Sequence, residues 1–389
     1  VLVTVAAVAA AVTIVALMLT DGDDSKGVGD TTPLAGTTST QQQAPAETAT
    51  TPVAPPPAAP KQPVVSAARM IGQKIMVGFR EHATAPPALL ADVRKGRVGG
   101  VILFGENNGG ANGYSSVVKQ LQDAAKAGRQ PALLISIDQE GGLVRRISGA
   151  PPTISPNEMG RQGATAARQQ GQATGSDLRD RGINVDLAPV VDVPSSADSF
   201  LGDRTFGTSP GAVSETAGAF AAGLQEARVA ATAKHYPGLG TTGARNTDEG
   251  PVAVDTSLGE LTARAKPFHA LADGGVKLIM VSSATYRAID PSRPAVLSKR
   301  VVTSRLRSFF HNGVVISDDL GTPALQSFGG QIPVFASNAG VDILLYVDTA
   351  ARGAYSAMAT AYKSGALSPS KLKASYKRIM ALKRWVAGG

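Results

Sequence analysis

Eight short apolar runs, recurring at roughly forty-residue intervals, limit what this chain can fold into more than any other feature of its sequence. They are Ile75 to Phe79, Gly99 to Phe104, Ala132 to Asp138, Asn184 to Val190, Val229 to Pro237, Leu278 to Ser283, Gly313 to Asp319 and Asp342 to Val347. Most are continuous rather than alternating, which is the pattern of strands buried on both faces. Between them lie stretches of helical composition: Ala111 to Ala127, Ala212 to Arg228, Leu258 to Asp273 and Ser298 to Phe310, with Ser368 to Trp385 closing the series. Strand and helix alternating eight times predicts a (β/α)8 TIM-like barrel, with a doubly wound open sheet as the second choice.

The barrel accounts for residues 67–389. Residues 1–20 contain no charged side chain, and as a helix they would cover about 30 Å, a hydrocarbon core. They read as a membrane anchor, or alternatively as a signal that is cleaved on export. Residues 21–66 are rich in Pro, Ala and Thr and hold no aromatic residue, so they lack the apolar surface to fold and form a disordered linker. The expected protein is therefore extracytoplasmic, a barrel preceded by an N-terminal hydrophobic helix and a tether.

Composition removes several chemistries. The 389 residues include no Cys and only four His, which excludes disulfide scaffolds, cysteine nucleophiles and cysteine-ligated metals. The net charge is +8, but residues 1–66 carry five acids against Lys26 and Lys61, so the rest of the chain stands at +11. That balance suits a polyanionic partner, whether nucleic acid, anionic lipid or cell-wall polymer. Nucleic acid is not expected. The most basic cluster, Lys371, Lys373, Lys377, Arg378, Lys383 and Arg384, shares a helical stretch with Leu372, Ile379 and Leu382, as a helix packed on a barrel would.

A parallel barrel presents its reactive groups at the carboxyl ends of its strands. The third run ends in Asp138, followed by Gln139 and Glu140; the fifth ends in Lys234 and His235; the seventh ends in Asp318 and Asp319. Arg204 lies in the loop after the fourth. Carboxylates grouped with cations, without a metal cluster, suit glycosidic bond cleavage, in which one carboxylate attacks the anomeric carbon and an acid protonates the leaving oxygen. Cations near Asp318 favour its ionised form.

The stretches SIDQEGGLVRRI, INVDLAPVVDV, GDRTFG, AKHYPGLG and VVISDDL, in this order, resemble glycoside hydrolase family 3, in particular its single-domain bacterial β-N-acetylglucosaminidases. The resemblance extends over about residues 68–386. It implies a retaining hydrolase, without cofactor or metal, that removes terminal N-acetylglucosamine, often from peptidoglycan fragments; the chain is expected to be a monomer. Asp318 matches the family nucleophile. Asp138, Arg204, Lys234 and His235 match residues that hold the non-reducing-end sugar.

One family feature is altered. The loop after the fifth strand usually carries an Asp-His pair whose histidine is the general acid and base; here it reads KHYPGLGTTGARNTDEGP. Leu239 stands at one usual histidine position, Gly250 at the catalytic one, and Asp248 matches its aspartate partner; Ser283 or a neighbour replaces a further histidine. Three readings follow. Asp248 or Glu249 serves directly as the acid; or the barrel binds glycans with little turnover; or the leaving group needs little protonation. The four glycines of this loop, Gly238, Gly240, Gly243 and Gly250, suggest a mobile lid. Two-domain relatives such as β-glucosidases draw their acid from a second domain, for which the sequence has no room after the barrel.

Overall fold

The computed structural model describes residues 65–80, 82–109, 113–348 and 351–388, and the isolated residue Gln41. The hydrophobic segment 1–20, and the linker 21–66 apart from Gln41, Val65 and Ser66, lie outside the described residues. Among the described residues no helix is long and apolar enough to cross a membrane.

Every one of the eight apolar runs contains a strand. These are β1 (Ile75–Val77), β2 (Gly100–Leu103), β3 (Leu134–Ile137), β4 (Val185–Asp186), β5 (Ala230–Tyr236), β6 (Leu278–Val281), β7 (Val314–Ser317) and β8 (Leu344–Tyr346). All neighbours pair in parallel, in the order β7-β6-β5-β4-β3-β2-β1-β8. The ring closes through a bridge between Ile316 and Ile343, where the Asp342 and Ile343 amides both donate to the Val315 carbonyl at 2.7 and 3.0 Å. The fold is the (β/α)8 barrel, not the open sheet.

The continuous apolar runs follow from this closure. Met76, Ile102, Leu134, Leu278, Met280, Val314 and Ile316 point into the barrel and form one buried cluster. Their strand neighbours Ile75, Val77, Val101, Leu103, Ile279, Val281 and Val315 point outward into the second cluster, under the helices. Successive strand residues face opposite ways, so burial on both faces leaves no polar alternation to read.

Helix starts are written in short code. Ser155, Ser209 and Ser368 each precede a proline, and each serine oxygen accepts the amide three residues on, at 3.2, 3.3 and 3.4 Å. Such a cap contributes about 1 kcal/mol, and proline at the first helical position loses no hydrogen bond. The expected helix over Leu258 to Asp273 is two helices, Leu258–Arg264 and Lys266–Asp273, because Pro267 has no N–H with which to continue the first. The expected helix over Ser298 to Phe310 opens as a wide π-type turn, Arg300–Leu306.

The C-terminal helix, Pro369–Ala387, sends Ile379, Leu382 and Val386 into the barrel-interior cluster. Lys383, on the same helix, donates to the Gly99 and Ala132 carbonyls at 2.8 and 2.7 Å, just before β2 and β3 begin. The helix therefore stops the amino end of the barrel. The carboxyl end stays open.

Candidate active site

Asp138, Arg204, Lys234, His235, Asp248 and Asp318 all line one cavity of about 470 Å³ at the carboxyl ends of the strands. Its apolar floor is made by Ile102, Leu187, Met280 and Leu345 from the barrel interior. Glu249 is exposed and does not line it; neighbouring Asp248 does.

Charge is densest around Glu140, which is 1% exposed. Arg204 grips it with two bonds of 2.8 and 2.9 Å, and the Lys234 ammonium stands 2.6 Å from Oε1. The same ammonium donates to Asp138 Oδ1 at 2.7 Å. Burial alone would raise the Glu140 carboxyl, but Lys234 and Arg204 outweigh it and hold the pKa down at about 2. Burial likewise opposes charge on Lys234, yet Asp138 and Glu140 push its pKa upward. The cations are thus fixed in their charged forms and in position before any ligand arrives.

His235 is oriented from behind. Its Nδ1 lies 2.7 Å from Asp192 Oδ2, so that nitrogen carries the proton and Nε2 is left as the other ring position for a ligand. Lys234 and His235 both line the cavity although consecutive strand residues normally face opposite sides. The pairing of β5 with β6 slips between Ala233 and Tyr236, and the peptide between Lys234 and His235 is cis.

The loop after β5 is tied down at its two ends. Leu239 N donates to Asp192 Oδ1 at 2.6 Å, the Tyr286 hydroxyl to Gly238 O at 3.1 Å, Ser195 N to Gly240 O at 2.8 Å and Phe200 N to Gly243 O at 3.0 Å. It ends where Ala253–Val254 pairs with Thr285–Tyr286. Packing or backbone geometry accounts for Gly238, Gly240 and Gly243, the last with φ of 63°. A Cβ at Gly240 would sit 2.1 Å from the Val193 carbonyl, and Gly238 has φ of 138°.

The two acids at the mouth differ. Asp248 is open to solvent on one side, but the protein packed around it and then the charge of Asp318 raise its carboxyl above the usual range, against the pull of His235 and Arg204. Asp318, directly after β7, takes the Asp319 amide on Oδ1 at 2.9 Å. Behind it, Asp319 accepts Gly321 N and Val347 N, and burial lifts its pKa to about 6. Of the two, Asp248 is the one shifted toward its neutral form, the direction in which a general acid must be moved.

Glu140 was named from the sequence only as following Asp138 and was given no role, and Asp192 and Asp186 were not singled out. Asp186, wholly buried at the end of β4, accepts the Gln139 amide at 3.0 Å, and burial raises its carboxyl far above normal. A signal existed for Glu140. It lies two residues beyond Asp138, on the same side of an extended chain, in the short strand Gln139–Gly141. Among the described residues no group of three or more His, Asp or Glu side chains is disposed to hold a metal ion.

Residues 69–382 match the profile of the glycosyl hydrolase family 3 N terminal domain. An "uncharacterized secreted glycosyl hydrolase" of Arthroderma benhamiae is 35% identical over 82% of this chain and 93% of that protein. Beta-hexosaminidase A of Pseudoalteromonas piscicida is 30% identical over 84% of this chain, which spans 62% of that relative's length. A solved family 3 β-N-acetylglucosaminidase from Paenibacillus sp. strain FPU-7 superposes with a TM-score of 0.79 at 30% identity, covering 83% of this chain and 63% of that one.

Proposed function

Because the chain belongs to glycosyl hydrolase family 3 and so is a hydrolase of O-glycosyl bonds, we propose that it is a retaining exo-glycosidase that removes terminal β-linked N-acetylglucosamine, with Asp318 as nucleophile and Asp248 as general acid and base. The relatives named β-hexosaminidase and β-N-acetylglucosaminidase support the sugar. The observation that carries the mechanism is the raised Asp248 carboxyl facing Asp318 across one cavity.

In this reading Asp138, Arg204, Lys234 and His235 hold the sugar hydroxyls, using ionised donors and acceptors that need no reorganisation when substrate enters. An Asp318 oxygen attacks the anomeric carbon while Asp248 gives its proton to the departing oxygen, leaving a glycosyl ester on Asp318. Asp248, now a carboxylate, takes a proton from water; the water oxygen attacks the anomeric carbon, and Asp318 leaves as a carboxylate. Asp248 can do this without the histidine that Gly250 replaces, because burial and the charge of Asp318 shift its carboxyl in the direction a general acid needs.

Cell-wall fragments outside the cytoplasm are the proposed substrates. The cationic barrel suits an acidic polymer, a relative is described as secreted, and residues 1–66 read as an anchor or export segment with a tether. The glycan-binding alternative retains one observation in its favour, the glycine at the usual acid position.

The decisive measurement compares Asp248→Asn with the unaltered protein on N-acetyl-β-glucosaminides of poor and good leaving groups. A lost acid lowers kcat about 100- to 10,000-fold on the poor leaving group and far less on the good one. Equal losses on both would remove Asp248 from the acid role. Absence of turnover by the unaltered protein, with sugar binding retained, would favour the alternative.

A further inference from the structure

The peptide unit between Thr247 and Asp248 is held at both of its polar ends. Its N–H, belonging to Asp248, donates to Asn246 Oδ1 at 3.0 Å, an Asx turn within the same loop. Its carbonyl, belonging to Thr247, accepts from the Thr322 hydroxyl at 2.6 Å. Thr322 is four residues beyond Asp318, on the other loop. Thr247 and Thr322 are 2% and 4% exposed, so water cannot readily take over the bond, and losing the donor leaves a buried carbonyl unpaired.

We propose that Thr322 is a positioning residue for the reaction: its hydroxyl fastens the peptide that carries Asp248 to the loop that carries Asp318 and so sets the distance between the two carboxyls. The inference rests on the reading of Asp248 as the acid. A retaining pair works at about 5 to 5.5 Å, and a displacement of about 1 Å is enough to cost roughly 100-fold in rate. Asp248 itself is open to solvent and sits in a short turn of its own loop, closed by Glu249 N donating to Asn246 O at 3.2 Å, a bond that reaches no other element. The loop's ties to Asp192, Ser195, Phe200 and the Tyr286 hydroxyl fall between Gly238 and Gly243, at least five residues before Asp248, and its tie to Thr285 is made by Val252, four residues after it. Thr322 acts on the residue next to it.

Thr322→Val keeps the shape and removes the hydroxyl; Thr322→Ser keeps the hydroxyl. In the full chain, Thr322→Val should lower kcat on a poor-leaving-group N-acetyl-β-glucosaminide by about 10- to 100-fold, with KM little changed. Its kcat on a substrate with a good leaving group should stay within about 3-fold, and Thr322→Ser should restore both. Equal kcat for Thr322→Val and the unaltered protein on the poor leaving group, or equal losses on both substrates, would overturn the proposal. Should the valine variant not fold, Thr322→Ala against Thr322→Ser gives the same comparison. A leaving-group-dependent defect in Asp248→Asn but not in Thr322→Val sinks the positioning role alone; no such defect in Asp248→Asn sinks the acid assignment as well.

Discussion

Buried lysines stand at both ends of this barrel, and their surroundings are opposite. At the carboxyl end Lys234 lies 2.7 Å from Asp138 and 2.6 Å from Glu140, and the two carboxylates drive its pKa up against burial. At the amino end Lys383 donates to the Gln73 side chain and to two carbonyls, at 2.6, 2.8 and 2.7 Å, and burial pulls its pKa down to about 7. Lys74 donates to Val341 O and Ser375 Oγ at 2.7 and 2.8 Å; burial brings it to about 7 as well, despite the attraction of Asp342. Asp342 itself, wholly buried, is held by Arg307, by Arg378 at 2.8 Å and by the Val315 amide at 3.0 Å.

Buried charge is therefore no mark of function in this molecule. Both ends have it. The amino end spends its polar groups on one another beneath a helix, whereas the carboxyl end keeps Asp318, Asp248, His235 and Arg204 on the wall of a cavity. The site is therefore marked by polar groups facing open space, and holding the fold together and lining the cavity are tasks of different ends of the strands.

The largest effect that separates the ends should come from Asp318→Ala. Loss of the proposed nucleophile should remove about 10,000-fold or more of kcat/KM, equivalent to more than about 5 kcal/mol of transition-state stabilisation, while the thermal midpoint shifts by no more than roughly 2 °C. Calorimetry alongside kinetics checks it; a large fall in midpoint would mean that the mouth, too, serves the fold. The mirror experiment is Asp342→Ala, which leaves Arg307 and Arg378 without their shared carboxylate. Urea unfolding should show a loss of about 3–5 kcal/mol, with kcat of the folded fraction unchanged. A catalytic defect without destabilisation would erase the division between the ends.

How much of this was legible in the sequence follows the same division. The eight strands could be read because closure buries both faces of each, turning every strand into an apolar run. Asp138, Arg204, Lys234, His235 and Asp318 could be found because strand ends are few and each of these residues ends or follows a run. Choosing between Asp248 and Glu249 was out of reach, since a loop has no period to say which neighbour faces inward. The glycines of that loop invited a reading of mobility, but Gly240 is set by contact with Val193, 47 residues earlier and in neither period nor pattern. The stopper was half visible: Leu372, Ile379 and Leu382 marked a packed helix face, yet nothing set Lys383 apart from its basic neighbours. Its acceptors, Gln73, Gly99 and Ala132, lie hundreds of residues away and exist only once the barrel has closed.

The smallest effect is also the one that tests the stopper most directly, through pH. A lysine whose pKa is about 7 in the folded protein and 10.5 when unfolded is charged in both states below pH 7, where the folded state bears the full penalty of burial. As the pH rises beyond 7 the folded protein releases the proton while the unfolded chain still holds it. Stability therefore increases with pH between about 7 and 10.5, by up to about 1.4 kcal/mol per unit for each such lysine. Lys74 and Lys383 both contribute. Lys383→Met removes one of the two, so the rise in unfolding free energy between pH 7 and 9 should shrink by about 1–2 kcal/mol in urea titrations. Lys234 adds nothing to this slope in that range, because its carboxylate partners keep it protonated in the folded state. A pH slope unchanged by Lys383→Met would mean that its three acceptors stabilise the ammonium as effectively as Asp138 and Glu140 stabilise Lys234, and the contrast between the two ends would narrow to their openness alone.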